Sequence, residues 1–483
     1  MDPVLPFQIT LPSEGSRTLL RALHQQLRSA ILDRRLQPGL RLPATRALAD
    51  AYGVSRNTAV AAYDLLLSEG YLVTRPRSGA YVADVLPQSR HAKAPAGPSP
   101  FERRLNAFWR DPPIMMPGVV RSKARFDFRL GIAEKRLFPF DIWRRLAGRS
   151  LRAFADEPAA YSSPRGRAEL RDAIAKHISF ARAVACGADD VFVVGGSQQA
   201  FDLLARILVT PSRTVVAIEN PGYLAIRAAF TVAGARIAAV PVDNEGMIVD
   251  ALPADANVIC VAPSHQFPMG SAMSMRRRAA LLQFATARKA VIIEDDYDAE
   301  FRFGGRPLDA LQTLDRHESV FYVGTFSKSL FPGIRLGFVV APPWARRALV
   351  AAKHLSDVHC SVLDQDTLAA FIAEGHMVRH VRKMRATYAR RLELLLTHLH
   401  KDFGRWLEPI PSVAGLHVAA FTKSSVDSDR IVQRAREREV GVYSLRPYYF
   451  EGPSRSGLVF GYGAIDEREI VEGLSRLRRV WPK

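Results

Sequence analysis

The chain has 483 residues, 48% of them hydrophobic and 24% charged, with 67 Lys and Arg against 48 Asp and Glu for a formal charge of +19. That length exceeds what one hydrophobic core serves, so two or more folded domains are expected. A run of about 18 apolar residues and a basic-then-apolar leader are both missing, which argues against a membrane span and secretion. Cys186, Cys260 and Cys360 are odd in number and far apart, so neither a disulfide framework nor a CxxC metal site is expected. A cytoplasmic protein without a bound metal is the resulting expectation. The charge is uneven: residues 1–84 carry ten basic against seven acidic side chains, and residues 85–125 carry eight against two. The middle stretch therefore attracts polyanions most strongly.

Residues 18–34, TLLRALHQQLRSAILDR, place Leu19, Leu23, Leu27 and Ile31 four apart on one face of a helix that Pro38 and Gly39 stop. ATRALADAYGVSRNTAVAAYDLLLSEG then reads as a short helix over Ala44–Tyr52, a turn at Gly53, an N-cap at Ser55 and a longer helix ending before Gly70. This is helix-turn-helix spacing. The second helix is expected to bury Val60, Tyr63 and Leu67. Its start presents Ser55, Arg56, Asn57 and Thr58, donors suited to base edges or phosphates in a major groove. YLVTRPRSGAYV at 71–82 reads as a hairpin wing whose tip carries Arg75, Arg77 and Gly79. A three-helix packing unit with a solvated basic rim is the alternative. With RLPATRALA before the turn, the order helix, helix, helix, hairpin resembles the winged-helix domain of GntR-type bacterial regulators. That resemblance implies double-stranded operator DNA as partner, contacted through Arg46, Ser55, Arg56, Thr58 and the wing near Gly79.

Residues 85–125 form a basic, Pro- and Ala-containing linker. Arg103, Arg104, Arg121, Lys123 and Arg125 suit either auxiliary phosphate contacts or plain solvation.

From residue 126 to 483, amphipathic helices alternate with β-branched runs: VFVV at 191–194, TVVAIE at 214–219, VICVAP at 258–263, AVIIEDD at 290–296 and VFYVG at 320–324. The alternation predicts an α/β domain, a mostly parallel sheet covered by helices, with its site outside the carboxyl ends of the strands. After VFVV a glycine turn opens a helix whose first amides, with Ser197 and Gln198, make an anion site. After TVVAIE comes Tyr223, a ring able to stack on a flat cofactor. After AVIIE come Asp295, Asp296, Tyr297 and Asp298. A carboxylate there can hold a pyridine nitrogen protonated, and Tyr297 can donate to a phenolic oxygen.

Within VFYVGTFSKSLFPGIRLG, 320–337, Lys328 follows a β-rich run between hydroxyl residues, and Arg335 lies seven positions on. A Schiff-base lysine must be neutral near pH 7, which neighbouring positive charge or poor solvation provides. Arg335 suits a phosphate, Thr325 and Ser327 add hydroxyl donors, and Gly333 and Gly337 allow close turns.

These companions, in this chain order, resemble fold-type I, class I aminotransferases over residues 126–483. With its GntR-like head the whole chain resembles a MocR/GabR-type transcriptional regulator. The resemblance implies pyridoxal 5'-phosphate on Lys328, Asp295 at the ring nitrogen with Asp296 in reserve, Tyr297 at the phenolic oxygen, and Ser197, Gln198, Thr325 and Arg335 at the phosphate. It also implies a head-to-tail homodimer in which Tyr161, opening YSSPRGRAELRDAIA, crosses to the partner's phosphate, and Arg446 as a site for the carboxylate of an amino-compound effector, with Arg455 nearby. Two departures stand out. SHQFPMG replaces the Asn-Pro-Thr-Gly turn, leaving His265 or Gln266 for the asparagine, and GLVFGYG at 457–463 lacks the C-terminal arginine that clamps substrate carboxylates. A regulator sensing an amine through Lys328 is therefore expected ahead of an active aminotransferase with an accessory DNA-binding domain, or a DNA binder on a cofactor-free scaffold.

Overall fold

The computed structural model describes residues 5–12, 16–76, 78–84, 104–105, 109, 124–304, 308–423 and 427–481. Arg77 of the wing and Arg103, Arg121 and Lys123 of the linker lie outside them. The chain divides into two compact units, Met1–Asn106 and Ala107–Lys483.

In the first unit, helices α1 (Ser16–Leu32), α2 (Thr45–Tyr52) and α3 (Arg56–Ser68) precede an antiparallel hairpin of β1 (Leu72–Arg75) and β2 (Gly79–Val82). Gly53 ends α2 in the left-handed region at φ 64°, where a side chain is strained. Ser55 caps α3 by accepting from the Thr58 amide at 3.0 Å. Leu23, Leu27 and Ile31 of α1 are fully buried, as their spacing predicts. The inner face of α3 differs from the expectation: Ala59, Ala62, Tyr63 and Leu66 are buried, while Val60 is 36% exposed and Leu67 only partly covered. The two alanines let α1 pack closely on α3, so the buried stripe runs one residue away from the larger Val60 and Leu67.

In the second unit β3 (Phe126–Asp127) pairs in parallel with β14 (Val440–Gly441). The main sheet holds β4 (Val191–Val194), β5 (Val215–Asn220), β6 (Arg236–Asp243), β7 (Gly246–Met247), β8 (Val258–Val261), β9 (Val291–Asp296), β10 (Val320–Thr325) and β11 (Gly337–Val340) in the order β4-β11-β10-β9-β8-β5-β6-β7. The pairs from β10 through β9, β8 and β5 to β6 are parallel, whereas β11 runs antiparallel to both its neighbours. Helices cover both faces, which is why β4 and β10 are buried along their whole length. All five apolar runs of the sequence lie in this sheet.

A smaller antiparallel sheet, β12 (Leu407–Pro409), β13 (His417–Thr422), β16 (Gly457–Gly461) and β15 (Tyr443–Ser444) in that spatial order, follows the 28-residue helix His376–Phe403. That helix packs Met384, Tyr388, Leu392, Leu395 and Leu399 into one core with Phe128, Phe460 and Tyr462. Among the described residues no helix is long and apolar enough to cross a membrane.

Candidate cofactor site and DNA-reading face

The carboxyl ends of β4, β5, β9 and β10 open on a cavity of about 430 Å³. It is lined by Ser197, Gln198, Tyr223, Asp295, Tyr297, Thr325, Ser327, Lys328 and Arg335, which the fold draws from four separate strand ends. Asp298 of the acidic run after β9 also lines it, as do residues that carried no signal in the sequence: Arg129 and Gly131 from the segment after β3, Phe267 from the SHQFPMG turn, His417 at the start of β13, and Tyr448. They come from short segments that only tertiary folding brings to the strand ends.

Lys328 Nζ donates to the Gly131 carbonyl at 2.6 Å. Burial pushes this amine below its ordinary pKa, against the opposing pull of Asp298 and Asp295. A lysine so placed is neutral more readily than one in water, the condition a Schiff-base nucleophile needs. Gly131 adopts φ 64°, where a side chain is strained, and a Cβ there would come within 2.7 Å of Nζ and displace the lysine end.

Asp295 and Asp296 are neighbours on β9 and point to opposite faces, as strand geometry requires. Asp296 accepts from Arg182 Nε at 2.8 Å and from the Tyr322 hydroxyl at 2.5 Å, and Arg182 is further held by Ser264 at 2.6 Å. Asp295 lines the cavity, and its buried Oδ1 has no hydrogen-bond partner among the described residues. Burial, with Asp296 and Asp298 adding repulsion, pushes its carboxyl up to about 8 while Lys328 pulls it down. An unpartnered buried carboxyl at a cavity wall is complementary to a cationic N–H.

The anion end lies where the helix Ser197–Leu208 begins. A Cβ at Gly196 (φ 95°) would sit 3.2 Å from Arg335 Nη1, and one at Gly337 would sit 2.8 Å from the Gly324 carbonyl oxygen and 3.0 Å from Gly196 Cα. Both glycines permit a close approach. Gly333 is different: the nearest atom to a Cβ there is 3.6 Å away, so space does not demand glycine. Arg335 donates to the Gly195 carbonyl, and the Thr325 hydroxyl donates to Ser327 Oγ at 3.1 Å. Helix amides, hydroxyls and a guanidinium thus surround one end of the cavity.

His265, in the place of the missing asparagine, stands behind Tyr297 and outside the cavity lining. Its Nδ1 is 3.0 Å from the Tyr297 hydroxyl and 3.1 Å from both Asp298 oxygens. Gln266 is turned away, donating to the Pro221 and Phe267 carbonyls at 2.9 and 2.7 Å. Donor atoms of His265, Asp298 and His417 lie within 4.8 Å of one another. They are already engaged: Nδ1 of His265 with Asp298, and Nε2 of His417 with the Pro268 carbonyl at 3.1 Å.

Tyr161, expected to serve a partner's site, and Arg446 and Arg455 do not line the cavity of their own chain. Tyr161 is 86% exposed, its ring 6.1 Å from that of His359. Arg446 is exposed on the turn Arg446–Tyr448, 3.3 Å from Asp429. Arg455 lies over the Phe421 ring at 3.4 Å, also outside the cavity lining. Val459, within GLVFGYG, is fully buried.

On the first unit Arg46, Arg56 and Asn57 are exposed and Thr58 is half-buried. Ser55 is exposed, but its hydroxyl is engaged with the Thr58 amide and the Thr58 hydroxyl. On the wing, Arg75 stacks over the Tyr81 ring at 4.4 Å, and Gly79 adopts φ 108° with Arg41 nearby.

This fold and this cavity define a helix-turn-helix head joined to an aminotransferase-like domain. The profile described as bacterial regulatory proteins, gntR family, matches residues 19–82, and that of aminotransferase class I and II matches residues 138–473. The chain is 35% identical over 480 residues to the probable rhizopine catabolism regulatory protein MocR of Rhizobium meliloti, covering 98% of this chain and 96% of that one. It is 32% identical over 483 residues to the HTH-type transcriptional regulator TauR of Rhodobacter capsulatus, covering 99% of each. It is 30% identical over 447 residues to the pyridoxine biosynthesis transcriptional regulator PdxR of Corynebacterium glutamicum, covering 92% of each. Among solved structures it resembles a Pyrococcus horikoshii kynurenine aminotransferase, with TM-score 0.73, 26% identity and coverage of 79% of this chain and 97% of that one. It also resembles the Thermus thermophilus alpha-aminoadipate aminotransferase LysN, with TM-score 0.68, 29% identity and coverage of 76% and 96%. The chain belongs to the MocR-type transcriptional regulators, which fuse a GntR DNA-binding domain to an aminotransferase-like domain of a pyridoxal-phosphate-dependent fold.

Proposed function

We propose that this regulator holds pyridoxal 5'-phosphate in the large-domain cavity and reads an amine-bearing effector there. The observation that carries the reading is the unpartnered, buried Asp295 Oδ1 in the same cavity as the desolvated Lys328. When bound, the cofactor supplies a carbonyl for which Lys328 and an effector amine compete, and a ring that draws electrons. Asp295 would hold the ring nitrogen, Tyr297 the phenolic oxygen and Tyr223 the ring face. Ser197, Gln198, Thr325, Ser327 and Arg335 would hold the phosphate. Exposed Tyr161 would complete the phosphate site of a partner copy in a head-to-tail homodimer. Residues 85–125 would link the domains, and the protein would act in the cytoplasm.

Effector capture changes which groups Lys328 and the cavity wall engage. It moves the DNA-binding heads only if the ligand binds one arrangement of the dimer better than the other. Arg46, Ser55, Arg56, Asn57, Thr58, Arg75 and the wing at Gly79 would contact operator DNA.

The test is visible absorbance of the purified protein beside Lys328→Ala, titrated with amino compounds, together with footprinting. The expected outcome is a yellow band that shifts with an amine, disappears in the variant and accompanies a change in the DNA footprint. A wild-type protein that stays colourless with added cofactor overturns the proposal. Turnover of an amino acid with a keto acid at ordinary enzyme rates would assign the cavity to catalysis instead.

A further inference from the structure

We propose that Gln199, oriented by Asp357, is a positioning residue for the anion end of the cavity, fixing the glycine turn whose following amides meet a phosphate. This rests on the cofactor reading of the cavity. Gly195 and Gly196 carry the chain from β4 into the helix Ser197–Leu208, and Gly196 adopts φ 95° and ψ 173°. Glycine loses more conformational freedom on ordering than other residues, so an anion site built on two of them needs its turn held in advance. Gly195 is held through both its backbone groups. Its carbonyl accepts from Arg335, and its N–H donates to Gln199 Oε1 at 2.7 Å. The amides of Ser197 and Gln198, in the first helical turn, have no acceptor within the helix, which suits them to an anion.

The Gln199 side chain can bind the Gly195 N–H only one way round. Its oxygen accepts and its NH2 donates, so a flipped Gln199 would set donor against donor. Asp357 excludes the flip. Its Oδ2 accepts from Gln199 Nε2 at 2.9 Å, and a carboxylate has no hydrogen to offer in return. Asp357 is itself fixed by Lys353, whose side chain is fully buried and whose Nζ donates to Oδ1 at 2.5 Å. Helix stability alone does not explain Asp357. It ends the helix Arg346–Asp357, where the helix dipole disfavours a carboxylate. The backbone is strained there too, since Val358, at φ 62° and ψ −68°, is the centre of a γ-turn in which the His359 amide donates to the Asp357 carbonyl at 2.7 Å. A buried ion pair adds little net stability of its own. What Lys353 and Asp357 supply is one orientation of one amide, at the turn that opens the phosphate site.

The experiment compares pyridoxal 5'-phosphate with pyridoxal, which lacks the phosphate, on the cofactor-stripped full chain. Dissociation constants from the visible band are measured for wild type, Asp357→Asn, Gln199→Glu and the double variant carrying both. In Asp357→Asn, Lys353 holds the oxygen of the new amide, whose NH2 then faces Gln199 and forces its NH2 toward the Gly195 N–H. Charge alone predicts the opposite sign, because removing a carboxylate near the site favours an anion. Each single variant is expected to lose about tenfold of the preference for the phosphorylated compound, with pyridoxal itself bound within about twofold of wild type. The double variant restores the match of donors and acceptors, since a carboxylate at 199 accepts from both Gly195 and the amide placed at 357. It should recover most of the preference. A preference that rises or stays level with Asp357→Asn overturns the inference. So does a loss shared equally by pyridoxal, or a double variant no better than Gln199→Glu alone. A wild type that takes up neither compound overturns the cofactor reading, and the inference with it.

Discussion

The head and the cavity carry function in opposite ways. In the head the residues proposed to meet DNA lie on α2, at the start of α3 or on one hairpin, and most of them are exposed. In the cavity the residues proposed to meet a cofactor arrive from the ends of four strands, and their acid and base strengths depend on burial. Local pattern therefore suffices for the first, whereas the second exists only once the sheet has formed. Substitutions in one unit should accordingly leave the signature of the other intact.

The largest effect on stability should come from Arg182→Ala. Arg182 and Asp296 are 5% and 2% exposed in their side chains, so the change strands a buried carboxylate and should cost about 3–5 kcal/mol of large-domain stability. Denaturant unfolding monitored on the large domain measures this, and the same loss in the melting of the head would break the division. Arg56→Ala should come next, weakening operator binding by about 1–3 kcal/mol at fixed salt while leaving the visible band unchanged. Gel-shift titration beside an absorbance spectrum checks both halves.

Asp295→Asn sharpens the comparison through pH. In the cofactor-free protein the folded carboxyl titrates at about 8, above the unfolded value of about 4. The folded state therefore binds the proton more tightly, and this contribution is complete at low pH and lost as pH rises toward 8. The variant should show a shallower fall of melting temperature between about pH 5 and pH 8. Part of the slope should remain, because buried Glu219 is also pushed up to about 8. An unchanged slope would show that Asp295 is not the group responsible. The smallest effect is Ser55→Ala, which removes the α3 cap and should cost the head about 1 kcal/mol, with no change at Lys328.

Much was legible in advance because it is periodic or local. Leucines four apart, glycine turns and β-branched runs announce helices, stops and buried strands, and strand ends point to a site. The face of α3 was misplaced by a residue because two alanines, not the bulkier Val60 and Leu67, allow the closest helix packing. Neither the smaller antiparallel sheet nor the Phe128–Tyr462 core was visible, since their short strands pair across long separations in sequence. Arg129 and His417 carry no local motif, and the exposed turn that holds Arg446 beside Asp429 is set by pairing across the smaller sheet.

By itself the sequence determined the helix-turn-helix head, the sheet strands and the placing of Lys328, Asp295 and Arg335 at strand ends, because hydrophobic period and turn chemistry act over a few residues. Only the tertiary structure turned Asp295 to the cavity and Asp296 to Arg182, put His265 rather than Gln266 behind Tyr297, and brought Arg129 to the cavity of Lys328. Those choices depend on which face of a strand meets solvent, which meets Arg182, and which distant segment closes over it.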